Sequence, residues 1–148
     1  MAKKNPSKTI SKNGTLYIVP TPIGNLEDLS PRAVSTLSSV DAWIVEDSRH
    51  SGILQQHLTL KKPMIPLHRF NEQAKNTSLI NKLISGKHLA LISDAGTPLI
   101  HDPGRLLVDS AHKKSIPIIP LPGPCALTTA LSASGMPSDT FVFEGFLP

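Results

Sequence analysis

Short apolar runs alternate with stretches of helical hydrophobic spacing along most of this chain. The runs are 15–19 (TLYIV), 42–45, 64–67, 88–93 and 116–121. Their length and the Pro, Gly, Asn and Ser residues that bound them predict five short strands. The last run carries Pro117 and Pro120, which favours the edge of a sheet because proline donates no ladder hydrogen bond.

Apolar residues at helical spacing separate these strands. Ser30-Pro31 pairs an N-cap with a first-turn proline and predicts a helix up to Val40, and Asp102-Pro103 predicts another helix start in the same way. Further helices are predicted around 53–58, 79–84 and 126–131. Strands that alternate with helices imply the α/β class: a mostly parallel five-stranded sheet with right-handed crossovers and flanking helices.

Composition divides the chain into three segments. Residues 1–14 form a basic segment with four lysines, which we expect to be a flexible tail; it either supplies phosphate contacts to a nucleic acid or is merely solvated. Residues 15–142 form the domain. Residues 141–148 (FVFEGFLP) begin like a strand, and 143–148 are predicted to start a linker to a second domain that is absent.

The overall composition is that of a globular protein. Among 148 residues, 39% are hydrophobic and 18% are charged, with a net charge of +4. No apolar run approaches the length of a membrane span, the N-terminal segment lacks the apolar stretch of a secretory signal, and Cys125 is the single cysteine. These features predict a cytoplasmic protein without a membrane role. Six aromatic residues argue against a broad base-stacking sheet.

Three loops rich in Pro and Gly follow strands, at 20–25, 93–104 and 122–126. Because such loops emerge at one edge of a parallel sheet, we expect them to meet in one cleft, although prolines and glycines also simply punctuate α/β folds. The chain contains neither G-x-G-x-x-G nor G-x-x-x-x-G-K-[ST]. A ligand with an adenosine and a carboxylate but no phosphate suits such loops, which offer backbone amides, an apolar slot and a helix N-terminus.

The segment 46–52 (EDSRHSG) collects ionisable groups after the second strand. Glu46, Asp47, Arg49 and His50 provide an acid, a base and an anion-binding group near neutral pH, which suits a reacting hydroxyl. The alternative is a helix start in which Asp47 or Ser48 caps the helix and Arg49 pairs with Glu46.

A second polar cluster, 68–72 (HRFNE), follows the third strand. Asn71 is a plausible helix cap, while Arg69 beside Phe70 suits a grip on RNA. The six histidines show no H-x-H or H-E-x-x-H spacing and Cys125 has no C-x-x-C partner, so no metal site is predicted. Cys125 itself is expected to be a small buried residue rather than a nucleophile.

Several motifs together resemble one known family. The motifs are 16–26 (LYIVPTPIGNL), 46–52 (EDSRHSG), 93–104 (SDAGTPLIHDPG), 120–126 (PLPGPCA) and 144–148 (EGFLP). In this order and spacing they resemble bacterial 2′-O-ribose methyltransferases of small-subunit ribosomal RNA, which have the tetrapyrrole methylase, or class III, fold. The resemblance covers nearly everything from Thr15 onward.

The resemblance implies methyl transfer from S-adenosyl-L-methionine to the ribose 2′-oxygen of a cytidine in 16S ribosomal RNA. It also implies a homodimer of two-domain subunits, with the cofactor between the domains. Residues that would line the cofactor are Pro22, Ile23, Gly24, Asp94, Gly96, Thr97, Pro98, Ile100, Pro124, Cys125 and Ala126. Glu46, Asp47, Arg49 and His50 would face the RNA and take part in catalysis.

Without the second domain, this half is expected to bind the cofactor weakly or not at all and to be inactive. Two alternatives stay open: a class III methylase of a tetrapyrrole or a protein, and an RNA-binding module without enzymatic activity.

Overall fold

The computed structural model describes residues 13–146, in which strands and helices alternate as the hydrophobic pattern predicts. The strands are β1 (Leu16–Val19), β2 (Ala42–Val45), β3 (Met64–Pro66), β4 (Leu89–Ile92) and β5 (Ile118–Pro120). The helices are α1 (Pro31–Ser39), α2 (Ser48–His57), α3 (Glu72–Ile84), α4 (Arg105–Lys113) and α5 (Ala126–Ala133), with a 3₁₀ turn at Leu26–Asp28. The predicted basic tail lies outside the described residues except for its last two. No helix in the described part is long and apolar enough to span a membrane.

The sheet has the order β3-β2-β4-β1-β5, and all of its strand pairs are parallel. The predicted fold class is therefore confirmed, as is the edge position of the proline-bearing strand β5. β4 lies between β1 and β2. The chain therefore crosses from β1 to β2, toward the β3 edge of the sheet, but from β4 to β5, toward the opposite edge. Loops that leave such a switch point diverge and open a crevice at the carboxyl edge.

Two apolar clusters, one on each face of the sheet, form the core. Leu89 and Leu91 of β4 pack with α3 and α4, whereas Ala90 and Ile92 pack with α1 and α2. This alternation follows from the two-residue period of a strand. Trp43 is fully buried in the second cluster, and its indole N–H donates to the carbonyl oxygen of Leu37 at 2.9 Å. The bond joins β2 to α1 and satisfies the polar atom of the ring.

Ser30 caps α1 as predicted, since its Oγ accepts the backbone N–H of Ala33 at 3.1 Å. The predicted helix start at Asp102-Pro103 is wrong: α4 begins at Arg105, and Gly104 is its N-cap with φ of 117°. A Cβ on Gly104 would lie 2.7 Å from the Leu91 side chain, so both the backbone angle and the close packing require glycine.

A distant carboxylate supplies the cap that Asp102 was expected to provide. Oε1 of Glu72, at the start of α3, accepts the N–H groups of Gly104 at 3.1 Å and Leu106 at 2.7 Å. The first free amides of α4 are thereby satisfied from a neighbouring helix, and the end of the long loop 93–104 is fixed to α3.

The strand expected to begin at Phe141 is absent, because residues 141–146 contain neither strand nor helix. Instead, the Phe146 ring meets the His101 ring edge-on, with centroids 4.3 Å apart. None of the residues of α5 is buried, although the helix is largely apolar. After the buried Leu121, the described polypeptide therefore adds no buried apolar residue to the core.

Candidate functional site

The three Pro/Gly loops meet at the crevice between β1 and β4. Thr21 and Gly96 exchange both backbone hydrogen bonds, each 3.0 Å long, and the Thr21 hydroxyl donates to the carbonyl oxygen of Ser93 at 3.0 Å. The Thr97 hydroxyl donates to the carbonyl oxygen of Pro124 at 2.9 Å. The convergence predicted from the topology is therefore confirmed.

Gly96 stands where the three loops come closest. Its φ is 83°, and a Cβ there would lie 3.3 Å from Cγ2 of Ile23 and 3.8 Å from the carbonyl oxygen of Pro124. A side chain at this position would strain the backbone and push Ile23 outward. The glycine keeps the floor of the crevice compact.

A cleft of about 430 Å³ lies over this junction. Six predicted cofactor residues line it: Ile23, Gly96, Thr97, Ile100, Cys125 and Ala126. Sequence reasoning missed the other six, which are Ala95, His101, Leu127, Phe143, Gly145 and Phe146. Ala95 and His101 lie within the predicted loop, and the last three belong to the segment predicted as a linker. The EGFLP motif was the available signal for that segment.

The remaining predicted cofactor residues lie around the cleft rather than on its wall. Pro22 and Asp94 line a smaller adjoining pocket of about 110 Å³ together with His50. Pro124 meets the cleft residues through its carbonyl oxygen, Pro98 is buried, and Gly24 is exposed. The cleft and the small pocket thus share the loops but present different side chains.

Cys125 occupies the N-cap position of α5, so the first turn of this helix borders the cleft. The thiol is half-buried and makes no capping hydrogen bond. The nearby N–H of Thr128 nevertheless favours the thiolate and lowers the pKa of Cys125. The expectation of a fully buried cysteine is wrong, because α5 lies at the edge of the domain.

Glu46, directly after β2, lies within electrostatic range of two carboxylates of the loop 93–104, Asp94 and Asp102. Burial raises the pKa of Glu46, and repulsion by Asp102 and Asp94 raises it further, while Arg69 opposes the change. Burial and the charge of Asp94 also raise the pKa of Asp102. Within the described residues, no three His, Cys, Asp or Glu side chains come together in a way that could hold a metal ion. The raised pKa values of Glu46 and Asp102 mean that these two carboxylates accept protons more readily than usual.

Asp47 and Arg49 form a helix start, which is the alternative interpretation of 46–52: Asp47 is the N-cap of α2. Asp47 Oδ1 accepts the N–H of Arg49 at 2.8 Å, and Oδ2 meets the Arg49 guanidinium at 2.7 Å. These bonds lower the pKa of Asp47 to about 2. Arg49 therefore pairs with Asp47, not with Glu46, and of the four predicted catalytic residues only Glu46 and His50 are free of this pair.

The parallel sheet with an apolar cleft at its switch point is the geometry in which α/β domains bind small ligands. Over residues 15–146 the chain matches the tetrapyrrole (corrin/porphyrin) methylases, and it belongs to that family. Members of a methylase family require a methyl donor.

Individual relatives narrow the comparison. The chain is 57% identical over 133 residues to ribosomal RNA small subunit methyltransferase I of Vibrio cholerae, covering 90% of this chain and 46% of that protein. It is 54% identical over 138 residues to the protein of the same name from Escherichia coli O157:H7, covering 93% and 48%. The chain thus spans about half the length of the curated relatives it matches.

A solved structure shares the fold. Uroporphyrin-III-C-methyltransferase from Thermus thermophilus superposes with a TM-score of 0.62 at 25% identity, over 84% of this chain and 54% of that chain.

Proposed function

We propose that this chain forms the cofactor-binding half of a methyltransferase that modifies the ribose 2′-oxygen of a cytidine in small-subunit ribosomal RNA. The observation that carries the proposal is the 57% identity to a ribosomal RNA methyltransferase over 90% of the chain, a span that includes most of the cleft. The methyl donor we propose is S-adenosyl-L-methionine.

The chemistry of the cleft fits this donor. Ile23, Ile100 and Leu127 offer apolar surface for an adenine ring, and the first turn of α5 offers N–H groups for a carboxylate. No phosphate-binding motif is needed, in agreement with the sequence. The compact floor at Gly96 leaves room for a flat group to approach the backbone.

When bound, S-adenosyl-L-methionine supplies a methyl group that is already activated by a positive sulfur. The protein then has to orient the acceptor oxygen and receive its proton. We assign the proton-accepting role to the Glu46 carboxylate, because burial and its acidic neighbours raise its pKa. His50 and Asp94 share the small pocket beside the cleft and are proposed to position the ribose.

A second domain is proposed to cover α5 and the open side of the cleft. Phe141, Phe143 and Phe146 are exposed, as is most of the apolar surface of α5. Such a contiguous apolar surface is typical of an interface. The homodimer implied by the resemblance and the cytoplasmic location stay predictions.

A chimera tests this function. Residues 13–146 replace the aligned half of the Vibrio cholerae relative, and methylation is measured on small ribosomal subunits that lack the modification, with labelled S-adenosyl-L-methionine. We expect methyl transfer to a cytidine ribose, and a loss of roughly 10²- to 10⁴-fold in Glu46→Gln, the usual worth of general base catalysis. Glu27→Gln, an exposed carboxylate on the 3₁₀ turn, is the matched control and should leave the rate unchanged.

Two other outcomes would point elsewhere. Methylation of uroporphyrinogen but not of RNA would favour the tetrapyrrole alternative, which the likeness to the Thermus thermophilus enzyme keeps open. RNA binding by the chimera without any cofactor binding in calorimetry would favour an RNA-binding module without enzymatic activity, because the chimera contains both halves of the cleft.

A further inference from the structure

Phe70 is the most exposed large apolar residue among those the structure describes. Its relative exposure is 98%, although phenylalanine is normally buried. The residue lies between β3 and α3, at the carboxyl edge of the sheet, where the cleft also opens. An aromatic ring fully presented to solvent at this edge calls for a binding partner.

The backbone that carries Phe70 is held in a tight turn. The N–H of Asn71 donates to the carbonyl oxygen of His68 at 3.0 Å, so Arg69 and Phe70 occupy the two central positions of the turn. The Asn71 side chain closes the turn a second time, since its Oδ1 accepts the N–H of His68 at 2.9 Å. Asn71 therefore stabilises the turn. The predicted side-chain cap of α3 by Asn71 is wrong, since its side chain makes no capping hydrogen bond to that helix.

Two cations attach this turn to its surroundings. Nζ of Lys75 donates to the carbonyl oxygen of Pro66 at 2.7 Å. The Arg69 guanidinium donates to the carbonyl oxygen of His101 at 2.8 Å, and His101 lines the cleft. Phe70 thus lies on a turn held by hydrogen bonds, next in sequence to Arg69, whose guanidinium binds the backbone of a residue that lines the cleft.

We propose that Phe70 stacks against an unpaired nucleobase of the RNA and so holds the strand beside the cleft. The proposal rests on the proposed RNA substrate and adds a binding residue outside the cofactor cleft. Every base offers a flat π face, so an exposed aromatic ring beside cations binds single strands with little sequence preference. Because the hydrogen-bonded turn holds the backbone that carries the ring, less backbone entropy is lost on binding.

A protein partner is the competing occupant of this ring. RNA is favoured because Arg69, within the turn, and Lys75, whose ammonium group binds the carbonyl oxygen of Pro66 just before it, make this surface basic. The apolar surface suited to a second domain lies instead on α5 and the residues after it. The Phe70 ring has the His68 ring as a neighbour, with centroids 6.2 Å apart. A small exposed aromatic site on a basic turn fits a charged polymer with flat bases better than a hydrophobic interface.

The test uses the chain itself with a single-stranded oligoribonucleotide of mixed sequence and a duplex of the same sequence, at one salt concentration. Phe70→Ala is expected to weaken single-strand binding by roughly 5- to 150-fold, the range measured for loss of one stacked base. Phe70→Trp should keep the affinity. The duplex should respond less, because its bases are already stacked. Ile84→Ala, which removes an exposed apolar side chain at the other end of α3, is the matched control.

Phe70→Trp also reports the contact directly. Trp43 is the only natural tryptophan and is buried, so the exposed indole at position 70 provides the emission that responds, and the single strand should quench it. RNA binding without quenching, or equal affinities for Phe70→Ala and Ile84→Ala, would overturn the proposal. A change in oligomeric state without a change in RNA affinity would assign Phe70 to a protein contact instead.

These failures are separable from failure of the proposed function. If the chimera methylates RNA while Phe70→Ala binds RNA normally, the enzyme assignment stands and the stacking role is wrong. If the wild-type chain does not bind RNA, stacking by this chain is overturned as well, whereas the chimera still tests methyl transfer.

Discussion

Glu72→Ala should destabilise the domain from a position outside the cleft. Glu72 Oε1 accepts two N–H groups at the start of α4, from Gly104 at 3.1 Å and from Leu106 at 2.7 Å. Its removal leaves both amides without their acceptor, while water can reach them in part because the site is only half-buried. Loss of a helix cap costs about 0.5–2 kcal/mol, and two bonds to one charged acceptor favour the upper half of that range. We therefore expect a loss of about 1–2 kcal/mol.

Urea unfolding of wild type and variants measures this loss. In thermal unfolding, a loss of about 1–2 kcal/mol corresponds to a decrease in Tm of about 2–8 °C for a domain of this size. Glu72→Gln keeps an oxygen acceptor and should recover part of the stability. Gln73→Ala, an exposed neighbour on α3, should change the free energy of unfolding by less than about 0.5 kcal/mol.

Hydrogen exchange separates the cap on α4 from any effect on α3 itself. The Leu106 amide should exchange faster in Glu72→Ala. The amides in the middle of α3 should lose no more protection than the decrease in the global free energy of unfolding explains. Equal stability of Glu72→Ala and Gln73→Ala, or unchanged exchange at Leu106, would refute the reasoning.

Three shorter predictions follow from other contacts. Gly96→Ala places a Cβ 3.3 Å from Ile23 at a φ of 83°. The strain should cost about 1–3 kcal/mol in urea unfolding and weaken cofactor binding by the chimera. An unchanged free energy of unfolding together with an unchanged cofactor affinity would contradict this prediction. Trp43→Phe removes the buried donor to the Leu37 carbonyl and should cost about 1–3 kcal/mol by the same assay; an unchanged free energy of unfolding would show that this bond does not stabilise the domain. The Asp47 pKa of about 2 should rise toward its ordinary value of 3.8 in Arg49→Met, as measured by NMR titration. Because folding lowers this pKa, the stabilisation from Asp47 is present above its ordinary pKa and is lost as the pH falls through about 2. An unchanged Asp47 pKa in Arg49→Met would exclude the pair with Arg49 as the cause of the lowered pKa.

The sequence alone predicted the class of fold. Each strand is a short apolar run and each helix repeats its apolar residues at helical spacing, so element order and the parallel sheet followed from local patterns. The prolines of 116–121 predicted the edge strand for a local reason as well, since proline lacks the N–H that a central strand needs. Convergence of the three loops needed only the geometry of a parallel sheet.

The same local reasoning failed where a distant residue competes. Asp102-Pro103 has the form of a helix start, but Glu72 caps α4 two residues later. Arg49 was weighed as a partner of Glu46, yet the backbone at the start of α2 brings it to Asp47. A sequence pattern does not show which of several carboxylates reaches a given amide or guanidinium.

What the sequence by itself determined is therefore the set of elements, their parallel arrangement and the edge at which the candidate site forms, because these depend on periodicity and backbone chemistry. The tertiary structure alone decided which side chains share that edge. It brought His101, Phe143 and Phe146 to the cleft, raised the pKa of Glu46 through burial and left Phe70 exposed on a closed turn. The physical reason is that burial and charge proximity arise only when segments far apart in the chain pack together.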